Sequence, residues 1–302
     1  MGGKKAQKER FPQKKGGGRL VLWIWVLGLI VALGVGYLWR SGRREIVRPV
    51  PVPAPKEKSA AREATHPTRP SPISRPSPSL SEDVRPRVAI VIDDLGYQRQ
   101  LTLDFITLKI PLTLSFLPQA PYSRELAQTA VQQGKETLLH VPMEPKGFPK
   151  TNPGPAALLT TMKNEEIQAI LKKDLEQFPG IRGINNHMGS LFTEDREKMT
   201  LVLRVIRERK LYFFDSRTSP DSVVLSVASQ LGVKAIHRDI FLDNVTNDEA
   251  IRLQVEKLIH LAETRGLAVG CGHPHPETLR VLKETLPALH DKVHIVPLSG
   301  LL

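Results

Sequence analysis

Five short apolar runs in the sequence each end on residues that bind metals or move protons. Asp93 and Asp94 close RVAIVI, and His140 closes ETLLHV with Glu144 four residues on. His187 follows IRGINN in INNHMGS, Asp215 closes LYFFD, and His273 and His275 follow LAVGCG in GCGHPHPE. Imidazole with carboxylate suits zinc and, as oxygen ligands increase, manganese, iron or cobalt. A metal held by two His and one carboxylate, with one position open, polarises a carbonyl and lowers the pKa of bound water towards ~7. A free carboxylate beside that water serves as general base, and a His across the pocket protonates the leaving group. Two adjacent aspartates at one strand end supply a ligand and a base together.

Taken singly, each residue has a plainer explanation. Asp93, Asp94 and Asp215 are suited to caps and turns, and Asn186 and His187 to the turn at Gly189. His140 fits a strand end satisfied by backbone, Glu144 a solvated loop, and His275 rigid filler between two prolines. The convergence of five strand ends on one chemistry is what favours a site. Other chemistries lack their motifs. The chain has no G-x-S-x-G elbow, no G-x-x-x-x-G-K-[ST] loop and no G-x-G-x-x-G loop. Its one cysteine, Cys271, excludes internal disulfides and four-Cys zinc sites, and reads as a small core hydrophobe.

Elements that deliver strand-end residues to one rim must be parallel. From Arg87 to Leu302, β-branched runs alternate with helical segments: Asn164–Phe178 and Thr193–Lys210 carry apolar residues at three- and four-residue spacing. Asp248–Arg265 does the same, with Gly266 placed to cap it. That alternation predicts parallel βα units, closed as a barrel or open as a doubly wound sheet, with the site at the C-terminal strand ends.

The chain preceding this region is of a different kind. Through Arg48 it carries 11 Lys/Arg against two Glu, whereas from Arg87 onward 26 basic residues face 25 acidic ones. The net charge of +12 therefore belongs to the N-terminal part, and a nearly neutral domain argues against a nucleic-acid partner. Leu20–Trp39 is an uncharged 20-residue run, ~30 Å long as a helix and enough to span a bilayer core. It exceeds the usual ~7–15-residue apolar stretch of a cleaved signal peptide. Seven basic residues before it and four after it predict a cytoplasmic basic tail (1–19), a transmembrane anchor (20–39) and a domain outside the cytoplasmic membrane, facing a periplasm where there is one. Residues 40–86, with ten prolines from Pro49 on, predict a semi-rigid stalk. The apolar run has no G-x-x-x-G, so it gives no dimer signal.

The stretches VIDDLGY, LLHVPMEP, GINNHMGS, FFDSRTS, RDIFLDN and GHPHPET, in this order, resemble the divergent polysaccharide deacetylases, relatives of the NodB-like carbohydrate esterase family four enzymes. The resemblance covers Arg87 to Leu302. It implies an α/β fold of distorted (β/α) barrel type and metal-dependent removal of acetyl groups from a sugar polymer, with zinc the first expectation. It further implies Asp93 as catalytic base, Asp94 as metal ligand and His140 as the first histidine of a motif whose second lies four residues later. Here that later position is Glu144. Either His187 completes the metal set from the next strand end, or Glu144 ligates and the site is harder. His273 resembles the late general-acid histidine, with His275 as backup, and Asp215 would orient that histidine or the metal shell. Asn186, Arg217, Asp239 and Asp243 are expected at the rim or on substrate. The expectation is thus an anchored deacetylase of an envelope glycan. Its rivals are a glycan-binding or envelope-organising protein that has lost catalysis, and a metal hydrolase of another ester or amide.

Overall fold

The computed structural model describes residues 85–302. The basic tail, the apolar run 20–39 and nearly all of the Pro-rich linker lie outside the described residues; among those described, no helix is long and apolar enough to cross a membrane.

Among the described residues nine strands are formed: β1 (Arg87–Leu95), β2 (Thr113–Phe116), β3 (Glu136–Met143), β4 (Gly183–Met188), β5 (Tyr212–Asp215), β6 (Ala235–His237), β7 (Ile240–Phe241), β8 (Leu267–Gly272) and β9 (His294–Ile295). Seven helices connect them: α1 (Arg99–Thr107), α2 (Ser123–Gln132), α3 (Asn164–Gln177), α4 (Arg196–Glu208), α5 (Val224–Leu231), α6 (Asp248–Arg265) and α7 (Pro276–Thr285). The helix expected over Asp248–Arg265 forms with those bounds. Gly266, at φ +81°, ends it with its amide on Ala262 O at 2.8 Å.

The sheet order is β6-β5-β4-β3-β2-β1-β8-β7, all pairings parallel, with β9 added to the start of β1. Its two outermost strands, β6 and β7, are separated only by Arg238 and Asp239. The Arg238 amide donates to Asp215 O at 3.0 Å and extends the pairing with β5; the Asp239 amide donates to Val269 O at 2.9 Å and begins the pairing with β8. One stretch of chain thus switches partners and brings the two sheet edges together, so the sheet curls into a distorted barrel and is not an open layer. Asp239 reinforces that switch: its Oδ2 accepts from the Val269 amide at 2.9 Å. It is a staple along the barrel wall and not a rim residue, because the partner change leaves β8 an amide that a side chain must satisfy.

Strand alternation sorts the side chains between two cores. Val88, Ile90, Ile92, Leu114, Phe116, Leu139, Ile184 and Phe213 face the helices and pack with them in the larger one. Ala89, Val91, Leu138, Tyr212, Phe214, Val269 and Cys271 point into the barrel with Leu298 from the C-terminal turn. Glu136 closes the lower end, accepting from Thr113 Oγ1 (3.0 Å), Tyr212 Oη (2.9 Å) and the Ser299 amide (3.0 Å). Lined this way, the lumen is a filled core and not a pore.

Candidate metal centre and active site

Above the apolar lumen layer, the next inward-facing positions are polar. Two residues past Val91, Leu138, Phe214 and Val269 come Asp93, His140, Ser216 and Cys271, joined by Ser115 and Asn185. Asp93 and Asp94 cannot both face inward in a regular strand, since neighbours alternate. The β1–β2 register shifts between Ile92 and Leu95, and Asp94 takes φ +57°. This kink turns Asp94 towards the same mouth as Asp93. A non-glycine residue in that left-handed region costs ~1–2 kcal/mol, strain of the kind concentrated at functional sites. Gly96, at φ +122°, makes the following turn possible: a Cβ there would come within 1.8 Å of Ser123 Oγ at the start of α2.

Asp94, His140 and His187 converge. Asp94 Oδ1 lies 3.0 Å from His140 Nε2 and 2.7 Å from His187 Nδ1, and the two imidazoles stand edge to face with centroids 5.1 Å apart. Neither approach has the alignment of an N–H···O bond, so Asp94 Oδ1 is buried without a hydrogen-bond partner. Burial favours the neutral acid, but the contacts with both imidazoles overcome it and hold the Asp94 carboxyl well below the usual carboxylate range. A buried anionic oxygen facing two ring nitrogens fits a divalent cation: one carboxylate and two imidazoles form one face, and the other side stays open.

The network below fixes the His140 tautomer. Asn185 Nδ2 donates to Asp93 Oδ1 (2.8 Å) and Ser216 Oγ (3.0 Å), so its Oδ1 is the end that accepts from Ser115 Oγ (2.5 Å) and His140 Nδ1 (2.9 Å). With Nδ1 donating, Nε2 presents its lone pair to the Asp94 side, as a metal ligand must. Burial opposes a charged His140, but the Asp93 and Asp94 carboxylates outweigh it and raise its proton affinity. A cation between Nε2 and Asp94 takes the place of that proton. Asp93, also buried, accepts from Asn185, from Cys271 Sγ (3.1 Å) and, more weakly, from Ser216 Oγ (3.4 Å). Three donors leave a carboxylate room for one more.

Across the mouth, His273 Nδ1 meets Asp243 Oδ1 at 2.8 Å, while Asp243 Oδ2 accepts from the His273 amide (2.6 Å) and Thr278 Oγ1 (2.8 Å). Burial would discharge this imidazole, but the Asp243 contact prevails and its pKa is pushed up to about 9. Its ring stacks on Phe241 at 5.7 Å. His275 lies beyond, its centroid 6.2 Å from that of His273, and could join Asp243 and His273 as a second ligand group. Both Asp243 oxygens are already accepting, however, so a cation there would displace existing bonds. A 280 Å³ cavity opens over Asp94 and His187, walled by Tyr97, Gln119, Pro142 and Asn152.

Three sequence expectations, for Asp215, Glu144 and Asn186, differ from these positions. Asp215 does not reach His273. It shares the outward face of Phe213, and its carboxylate accepts from the Arg217 amide (2.8 Å) and Ser222 Oγ (2.7 Å), a turn role. Asp243 holds His273 instead. Glu144 stands outside the ligand cluster, its carboxylate taken by the Thr160 amide (2.6 Å) and hydroxyl (2.7 Å), which pins the loop after β3. Asn186 is buried off the rim and joins β4 to β5, donating to Met188 O (2.7 Å) and accepting from the Ser216 amide (3.0 Å). Arg217 is exposed beside the mouth at φ +50°. Three residues of the network were not singled out from the sequence: Asn185, signalled only by its two-residue offset from His187, and Ser115 and Ser216, with no signal beyond strand alternation.

Comparison with known proteins decides the family: residues 90–302 match the divergent polysaccharide deacetylase model. The chain belongs to that family. Its similar relatives include the uncharacterized protein YibQ of Escherichia coli strain K12, 36% identical over 216 residues that cover 72% of this chain and 67% of YibQ. An uncharacterized protein of Haemophilus influenzae is 33% identical over 215 residues, 71% of this chain and 76% of that one. Among solved structures, the uncharacterized protein ATU2773 of Agrobacterium tumefaciens C58 superposes with a TM-score of 0.70 at 27% identity, covering 74% of this chain and 92% of its own. The fold of that protein is therefore shared over most of this chain.

Proposed function

We propose that this divergent polysaccharide deacetylase is a metal-dependent hydrolase that removes acetyl groups from an envelope glycan, anchored in the cytoplasmic membrane through residues 20–39 with its barrel outside. The observation that carries the reading is the orphaned Asp94 Oδ1 facing His140 Nε2 and His187 Nδ1. These three residues would hold the cation, zinc by the donor set. When bound, it supplies a Lewis acid for the acetyl carbonyl and lowers the pKa of water. Asp93 takes a proton from the attacking water as the C–O bond forms. His273, charged and held by Asp243, gives its proton to the amine or alkoxide as the bond to the acetyl carbon breaks. Tyr97, 55% exposed on the cavity wall, offers a ring face for a sugar.

Acetate release from N-acetylated and O-acetylated oligosaccharides, measured on zinc-loaded full-length protein, tests this. The reading expects release with at least one class. Asp93→Asn should lower turnover by roughly 10²–10⁴-fold, the contribution of a positioned acid–base group, while retaining metal. A metal-loaded protein inert on every acetylated glycan overturns it.

A further inference from the structure

The opposite end of the barrel is basic and concave. Arg182, Lys210 and Lys234 stand one or two residues ahead of β4, β5 and β6, and Arg207 and Arg209 lie at the end of α4. With Tyr212 as a wall, these five cations line a cavity of 660 Å³. Other strand-leading cations are used internally: Lys135 Nζ donates to Ile110 O at 2.6 Å, and Arg87 Nη1 to Gly300 O at 2.8 Å. Among the described residues the cavity cations make only long contacts, Arg209 to Glu176 at 3.8 Å, Arg207 to Leu231 O at 3.4 Å and Lys234 to Leu302 O at 3.4 Å. In a domain with 26 basic and 25 acidic residues, five cations around one hollow are a local surplus. Like charges crowded together repel, and a bound anion relieves the repulsion.

We propose that this cavity is a phosphate-binding site. Arginine and lysine are the residues that recognise phosphate, and the volume suits a small phosphate-bearing group. A nucleic acid would need an extended basic stripe, which a single hollow does not provide. The phosphate belongs to a lipid headgroup or is free in solution. The chain enters β1 at Arg87 from this same end of the barrel.

The test titrates EDTA-treated full-length protein, in neutral detergent, with inorganic phosphate and with dihexanoyl phosphatidylglycerol. Dihexanoyl phosphatidylcholine, which carries no net charge, is the control. Saturable binding that falls at least tenfold in an Arg182→Ala, Arg209→Ala, Lys234→Ala variant, and weakens between 50 and 300 mM salt, supports the site. Response to phosphate and phosphatidylglycerol alike assigns it to the phosphate group, and response to phosphatidylglycerol alone to the headgroup. The single Lys234→Gln variant should weaken binding severalfold and provides the readout if the triple variant fails to fold. Asp94→Ala should bind as the parent does, which separates this site from the one above. Absence of saturable binding, or equal binding by the Lys234→Gln and triple variants and the parent, overturns the proposal.

Discussion

Asn185 determines which nitrogen of His140 is free, and Asp243 determines how readily His273 keeps its proton; neither needs to touch substrate. Replacing Asn185 with Ala removes the acceptor for His140 Nδ1 and a donor to Asp93. Partners of metal-bound histidines are worth ~10–100-fold in metal affinity. Asn185→Ala should therefore lose zinc to a competing chelator within that range, while a variant as tight as the parent would remove Asn185 from the account. The Asp243–His273 pair makes a separate prediction about stability and pH. Its His273 pKa of about 9 exceeds the ordinary 6.5, so the charged pair stabilises the fold fully below about 6.5, and that part is lost as pH rises through about 9. Burial would raise the Asp243 pKa, but its contacts with His273 and Thr278 outweigh burial and depress it, so this carboxylate adds stability that is full above its ordinary 3.8 and is lost as pH falls below that. The melting-temperature gap between parent and Asp243→Asn should be widest near pH 6 and narrow by pH 10. It should not vanish there, because Thr278 and the His273 amide still use the carboxylate.

At the scale of elements, what the sequence made legible was what a strand or helix repeats. β-branched runs, apolar helical spacing and the Gly266 cap announced the βα alternation, and strand ends announced the rim. What it hid depends on which face a residue takes. Asp94 and Asp215 both end strands, yet only Asp94 is turned inward, because β1 carries a register shift and β5 does not. Asp243 lies beyond the short β7, whose partner switch no local pattern signals, so its contact with His273 was not legible. Glu144 occupies a position at which the family's motif led to a ligand, but its carboxylate meets Thr160 in a loop whose path the sequence does not specify. Helix α3 adds a cost of its own. Asp174 is buried with Oδ2 unpartnered and only Gln119 and Gln177 amides on Oδ1 (3.2 and 3.3 Å), and burial lifts its pKa to about 6. A raised acid pKa means the folded state binds more protons, so stability falls as pH rises from about 4 through 6. Asp174→Asn should raise the melting temperature at pH 8, the gain fading by pH 4; an equal shift at both values would contradict the burial of charge.

At the scale of the molecule, the barrel is polar along its axis. One end gathers carboxylates and imidazoles around an unpartnered oxygen, and the other gathers cations around a hollow, with an apolar lumen between them. Parallel strands make this division natural, since every strand delivers its C-terminal end to the same mouth. The mouth that gathers the carboxylates and imidazoles is the end proposed to meet polymer. Everything proposed for that end depends on a cation held by Asp94, His140 and His187. The most direct measurement is metal content by elemental analysis of purified full-length protein beside an Asp94→Ala, His187→Ala double variant. About one equivalent of zinc or another divalent transition metal in the parent, lost in the variant, is the predicted result. A parent that holds no metal even after reconstitution, or a double variant that holds as much as the parent, would contradict the metal centre.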